Sequence, residues 1–190
     1  MKTKLTVFFI FLSLYSYAQT RKITGFMGFP FGSPSKIVVD SLSKRGKIMQ
    51  DGLSKAGMYN FKEMNVSGRK TYFVSVGFTE DKLYMGGVFF IIDGVQNSID
   101  TFNAISNSIS DLYGNPQNRV REFKYPYKET DPEAWVAVKG GYATIMNFWE
   151  IEGNRIELSI SSKGEYVILS YKDGILFEQV KEKGKSKSDY

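Results

Sequence analysis

The sequence predicts an α+β protein of two tandem units, each one helix packed on an antiparallel meander sheet of about four strands. Three observations carry this. Lys70 to Ile92, K-T-Y-F-V-S-V-G-F-T-E-D-K-L-Y-M-G-G-V-F-F-I-I, holds two apolar runs joined by Thr79-Glu80-Asp81-Lys82, the pattern of a β-hairpin. Ile99, Phe102, Ile105, Ile109 and Leu112 recur at the three- and four-residue spacing of an amphipathic helix. Finally, helix starts expected at Pro34 and Ile99 are each followed by strand-like segments punctuated by glycine turns, so the pattern repeats although the residues do not.

The chain has 190 residues, 42% of them hydrophobic and 15% aromatic, enough to build a core and unlike a disordered composition. Its first eighteen residues read as a signal peptide. Lys2 and Lys4 precede an apolar run from Leu5 to Leu14, and Ser16-Tyr17-Ala18 puts small residues at −3 and −1 of a cleavage site after Ala18. That run is well short of the ~20 residues a spanning helix needs, so no transmembrane segment is expected after cleavage. With no cysteine, neither a disulfide nor a lipid-modified cysteine is available to the exported chain. The formal charge of +5 falls to +3 without Lys2 and Lys4. Four lysines against Glu182 and Asp189 in residues 181–190 account for two more charges, which leaves +1 on residues 19–180. Charge concentrated at the ends predicts a disordered basic tail and no nucleic-acid partner.

The first unit, residues 19–96, opens with G-F-M-G-F-P-F-G (Gly25 to Gly32), a short strand ending at Pro30. Ser33-Pro34 then suits a helix start, with Ser33 as cap and Pro34 at the first position, while Val38 and Leu42 make an i, i+4 apolar pair and Gly46 offers a left-handed stop. Strands are expected at Lys47 to Gln50 and Met58 to Val66 before the hairpin, divided by Asp51-Gly52, Ala56-Gly57 and Ser67-Gly68. In the hairpin, Tyr72, Val74, Val76 and Phe78 share a face by the period of two, whereas Leu83 to Ile92 is apolar on both faces, as in a strand covered on both sides.

The second unit, residues 97–180, starts with the Ile99 helix, which stops at Tyr113-Gly114-Asn115-Pro116. Val120 to Tyr125 is a candidate strand and Tyr127 to Glu133 a loop. Four strands follow at Ala134 to Lys139, Tyr142 to Ile151, Arg155 to Ser161 and Glu165 to Asp173, with Gly140-Gly141 as a two-residue turn. Ile156, Leu158 and Ile160 alternate with Arg155, Glu157 and Ser159, so one face of the sheet meets water. Ile175 to Val180 reads as an edge strand or a short helix.

The cysteine-free leader, the F-M-G-F-P-F entry, the meander and the second helix closing in Y-G-N-P resemble small exported proteins of Bacteroidetes-type bacteria. The tandem helix-plus-meander layout is similar, more distantly, to the fold of the β-lactamase-inhibitor protein and of the outer-membrane-assembly (SmpA/OmlA-like) lipoproteins. That resemblance covers most of the mature chain and implies a role in binding other proteins at the cell envelope. The chain departs from the lipoprotein branch in lacking the anchoring cysteine.

Without histidine or cysteine, a Ser-His-Asp triad, a cysteine nucleophile and the usual zinc sites are excluded. Carboxylate chemistry remains, with Glu150, Glu152, Glu157, Asp131 and Glu133 as the candidates for a glycosidase-type pair. Asp93 to Asn97 lacks the spacing of a calcium loop, and Gly25 to Gly32 lacks that of a phosphate loop. No cofactor, metal or catalytic residue is therefore expected. Trp149 is in phase with Ala143, Ile145 and Ile151 and belongs to the core, whereas Tyr125, Tyr127 and Trp135, in and after a polar proline-bearing loop, are the candidate partner-binding residues. The expectation is an exported, soluble, non-catalytic binding or scaffolding protein, periplasmic or secreted, with an envelope protein or glycan as partner and the oligomeric state left open. The alternative is a carboxylate-dependent hydrolase of envelope polysaccharide or peptidoglycan.

Overall fold

The computed structural model describes residues 21–50 and 53–188; the leader and the Asp51-Gly52 turn lie outside them. The first half runs β1 (Gly25–Phe26), β2 (Phe29–Pro30), α1 (Ser35–Ser43), β3 (Lys47–Ile48), a 3₁₀ turn (Leu53–Ala56), β4 (Met58–Lys62), β5 (Asn65–Val66), β6 (Arg69–Thr79) and β7 (Lys82–Ile91). A 3₁₀ turn (Val95–Asn97) leads into α2 (Ser98–Tyr113), β8 (Asn118–Phe123), α3 (Ala134–Lys139), β9 (Ala143–Ile151), β10 (Asn154–Ile160), β11 (Tyr166–Lys172) and α4 (Gly174–Ser188). Apart from the β1–β2 ribbon, the strands form one sheet in the order β3-β4-β6-β7-β11-β10-β9-β8, with β5 added to β6, and every pairing is antiparallel. The protein is thus α+β around a large antiparallel sheet. Among the described residues, no helix is long and apolar enough to cross a membrane.

The halves meet at the centre, where β11 lies along β7 from Tyr166 opposite Ile91 to Lys172 opposite Met85. The hairpin is where the sequence puts it. Its turn is two residues, Glu80 and Asp81, both at positive φ (49° and 61°), the combination whose twist matches that of paired strands. One face of the sheet carries Val74, Val76, Val88, Phe90, Leu169, Val167, Leu158, Ile156 and Trp149, all buried, and Val38 and Leu42 of α1 join Phe102, Ile105 and Ile109 of α2 in that same core. The alternation read in β10 holds, with Ile156 and Leu158 buried and Arg155 exposed.

α1 is capped from outside its own sequence. The Ser33 hydroxyl donates back to the Pro30 carbonyl (2.6 Å), and Pro34 occupies the cap position with no side chain to offer. The acceptor is Asp81, whose Oδ1 takes hydrogen bonds from the Ser35 N–H (3.0 Å) and the Ser35 hydroxyl. Two further backbone bonds, Gly32 N–H to the Leu83 carbonyl and Leu83 N–H to the Ser33 carbonyl, tie the hairpin tip to the helix. Gly46 is not the left-handed stop that was expected. Its N–H still reaches the Leu42 carbonyl, and a side chain is disfavoured because a Cβ there would fall 2.7 Å from the Lys62 carbonyl oxygen as well as 2.3 Å from Met64 Cγ. α2 does end as read, at Gly114 with φ 81°.

Two other expectations are corrected. Ala134 to Lys139 is α3 rather than a strand, because Ala134, Ala137 and Val138 bury a helical i, i+3, i+4 face. The outer strand of that half is instead β8, paired with β9. The last element is neither an edge strand nor a short helix ending at Val180; α4 runs on to Ser188, into the residues read as a tail.

Candidate functional site: the outward face of the sheet

Residues opposite one another in neighbouring strands share a face, so the registers define what the sheet presents away from α1 and α2. One row runs Asn60–Ser75–Gly87–Ser170–Glu157–Phe148–Asn118, and the next runs Phe73–Phe89–Ile168–Ser159–Met146–Val120. The first has a low floor of Ser75, Gly87 and Ser170 in its middle. The second is largely apolar and half-buried.

Two irregularities shape this face. Thr71 faces Phe90 and Phe73 faces Phe89, so Tyr72 is an extra residue, a bulge that throws Tyr72 and Phe73 onto the outward side together. Tyr72 is therefore not on the face of Val74 as the period of two implied; it is 51% exposed. Its ring stacks on Tyr166 (centroids 5.0 Å) and meets Phe73 (5.4 Å), which in turn lies 4.0 Å from Phe89. Four rings from three strands thus form a continuous aromatic path, flanked by Ile91 at 44% exposure. A second bulge, at Tyr84, swings that ring toward Phe177 of α4 (6.3 Å), and burial there raises its phenol above its ordinary pKa.

α4 covers the opposite end of the same face. Phe177 lies against Tyr84 and under Lys172 (5.1 Å), and Lys172 pairs with Glu157 at 2.9 Å, both side chains mostly shielded. The outward face thus divides into a helix-covered, charge-paired end and an open aromatic end.

Among the described residues, the three read as a binding cluster make no ring contact with one another. Tyr125 follows β8 and is 95% exposed, while Tyr127 is half-buried and stacks on Tyr142 (5.5 Å). Trp135 is half-buried on α3 and pairs with neither tyrosine ring among the described residues. Trp149 is fully buried and donates its indole N–H to the Gly114 carbonyl (2.8 Å), as a core residue.

The candidate carboxylates are mostly engaged. Glu150 pairs with Arg155 (3.0 Å), Glu152 with Lys22 (2.8 Å) and Glu157 with Lys172, while Asp131 accepts the Lys128 N–H (2.7 Å). The concavity at Glu150, beside Phe148, holds one carboxylate, and so does a separate recess at Asp93, beside Thr101. The Asp93 to Asn97 loop closes on itself through the Asn97 amide and the Asp93 carbonyl (2.6 Å), and no cluster of metal-ligating side chains occurs among the described residues. Set against protein-family models, curated protein sequences and solved structures, the chain matches none of them.

Proposed function

We propose that this is an exported, non-catalytic binding protein of the bacterial cell envelope that holds a protein partner on the aromatic end of its outward sheet face. The observation that carries the reading is the Tyr166–Tyr72–Phe73–Phe89 path, left half-exposed on a face that α4 covers only at its other end. Aromatic and methionine side chains are the types enriched in protein interfaces. Ile91, Ile168 and Met146 beside the rings favour a protein over a hydroxylated glycan, because aliphatic carbon has no sugar hydroxyl to satisfy. Export is supported by the leader pattern of residues 1–18.

The layout supports the same reading. Strand order is symmetric about the β7–β11 seam, each half running outward from it as four strands, and α1 and α2 each precede one such set. We therefore treat the chain as two helix-plus-meander units, residues 19–96 and 97–180, joined edge to edge, the arrangement its resemblance implied.

The test is cross-linked capture from envelope extract with residues 19–190 as bait, comparing the native chain with Phe89→Ser. Loss of a partly buried ring at the centre of the path should weaken capture of the specific partner by ~2 kcal/mol or more, while stability to urea falls by only ~1 kcal/mol. Undiminished capture by a folded Phe89→Ser chain removes this face from consideration. Recovery of the native protein with Met1 intact in cytoplasmic fractions removes the export.

A further inference from the structure

On the other side of the sheet, beneath α2, lies a cavity of about 400 Å³ that the docking proposal does not use. Its inner wall is Phe26, Val88, Phe90, Ile105 and Ile109, all buried, and Leu112 at 49% exposure forms its rim. Its mouth is set by two tight turns with left-handed residues, Met27-Gly28 between β1 and β2 and Ser67-Gly68 between β5 and β6. Arg69, the residue after the second turn, lines this cavity and also an adjoining polar recess of about 500 Å³, where Lys70, Asn97 and Thr101 stand beside Asp93. Arg69 and Lys70 have no ion-pair partner among the described residues.

From this juxtaposition we infer a binding site for a single-chain anionic amphiphile: its hydrocarbon chain in the cavity, its negative head at Arg69 and Lys70. The charge balance at the head end is two cations against one carboxylate, and the tail end is walled chiefly by aliphatic and aromatic carbon, with Ser67, Ser108 and the Tyr171 hydroxyl its neutral polar groups and Arg69 the one charged residue of its lining. Volume agrees. A methylene fills about as much space as a water molecule, roughly 30 Å³, so the cavity takes on the order of a dozen, and its size is that of ordinary ligand pockets. A free fatty acid and a lysophospholipid share this chemistry. The hydrocarbon cavity lies on the opposite face from the proposed docking surface, and the head recess borders that surface only at Ile91, so either can fail without the other.

Calorimetric titration of residues 19–190 decides it, with dodecanoate, octanoate, neutral dodecanol and a lysophosphatidylglycerol as probes below their micellar concentrations. Dodecanoate should bind with one-to-one stoichiometry, and shortening should weaken it by up to roughly fourfold per methylene. Arg69→Gln should weaken dodecanoate about tenfold and leave dodecanol unchanged. Leu112→Trp, a rim substitution compatible with folding, should abolish binding of every probe while circular dichroism stays native. The tighter of dodecanoate and the lysophospholipid names the natural head group. Absence of binding by both anions, equal affinity for dodecanoate and dodecanol, or undiminished binding by Leu112→Trp overturns the site.

Discussion

The two faces of the central hairpin are made of the same kinds of residue and have different surroundings. Toward α1 and α2, Val74, Val76, Val88 and Phe90 are buried, whereas outward Tyr72 and Ile91 are exposed and Phe73 and Phe89 only partly covered. Hydrophobicity alone does not decide which face is core; cover does. The helices can cover only one side, and α4 reaches only the Tyr84–Lys172 end of the other. An apolar surface left open on a folded domain has a use more often than it is an accident.

The largest expected effect contrasts adjacent residues of β9. Trp149 is fully buried and hydrogen-bonded to Gly114, so Trp149→Ala should cost about 3–5 kcal/mol in urea unfolding. Phe148, one residue earlier and half-buried on the outward face, should lose only ~1 kcal/mol on becoming Ala, since half a side chain's burial is at stake. Equal losses would mean that both faces are core, and the distinction between them would go. Between these lies Trp135, half-buried on α3, where Trp135→Ala should cost about 2 kcal/mol. A loss under ~0.5 kcal/mol would mark it as a surface ring, the place its strand-like phase had given it.

That phase shows where the sequence ran out. A-W-V-A-V-K is a short apolar run before a Gly-Gly pair, as a buried strand would be, and what makes it helix is the burial of Ala134, Ala137 and Val138 beside the Val95–Asn97 turn, a tertiary effect. Elements with strong periodicity were legible, namely the hairpin, α2 with its Gly114 stop, the Val38–Leu42 pair and buried Trp149. The aromatic path was not, because it depends on the extra residue at Tyr72, and a bulge leaves no mark in a pattern of alternation. Nor was the pairing of β7 with β11, since an edge strand and a central strand that is apolar on both faces look alike until β11 is laid beside β7. Of the residues read as a binding cluster, none joins the aromatic path, whose members stand on β6, β7 and β11.

The smallest effect tests how the hairpin is fixed to the helix-bearing side. Asp81 and Ser35 are 46 residues apart in sequence, and their hydrogen bonds hold the carboxyl of Asp81 below its ordinary pKa, chiefly through the Ser35 hydroxyl and then its N–H. A carboxylate at a helix N-terminus also meets the positive end of the helix dipole. Because the folded value is the lower one, this contribution is present above the ordinary carboxylate pKa and disappears as the pH falls through the folded value. Asp81→Asn keeps an acceptor and tolerates the left-handed turn, so the turn survives and only the charge is lost. Native chain and variant should differ in urea midpoint at neutral pH and converge in strong acid. Glu80, whose pKa is lowered by Lys183 of α4, titrates in both proteins and cancels from the difference. A gap that persists unchanged into strong acid would show that the charge of Asp81 does not hold the helix, and that the backbone bonds of Gly32 and Leu83 fix the hairpin tip without it.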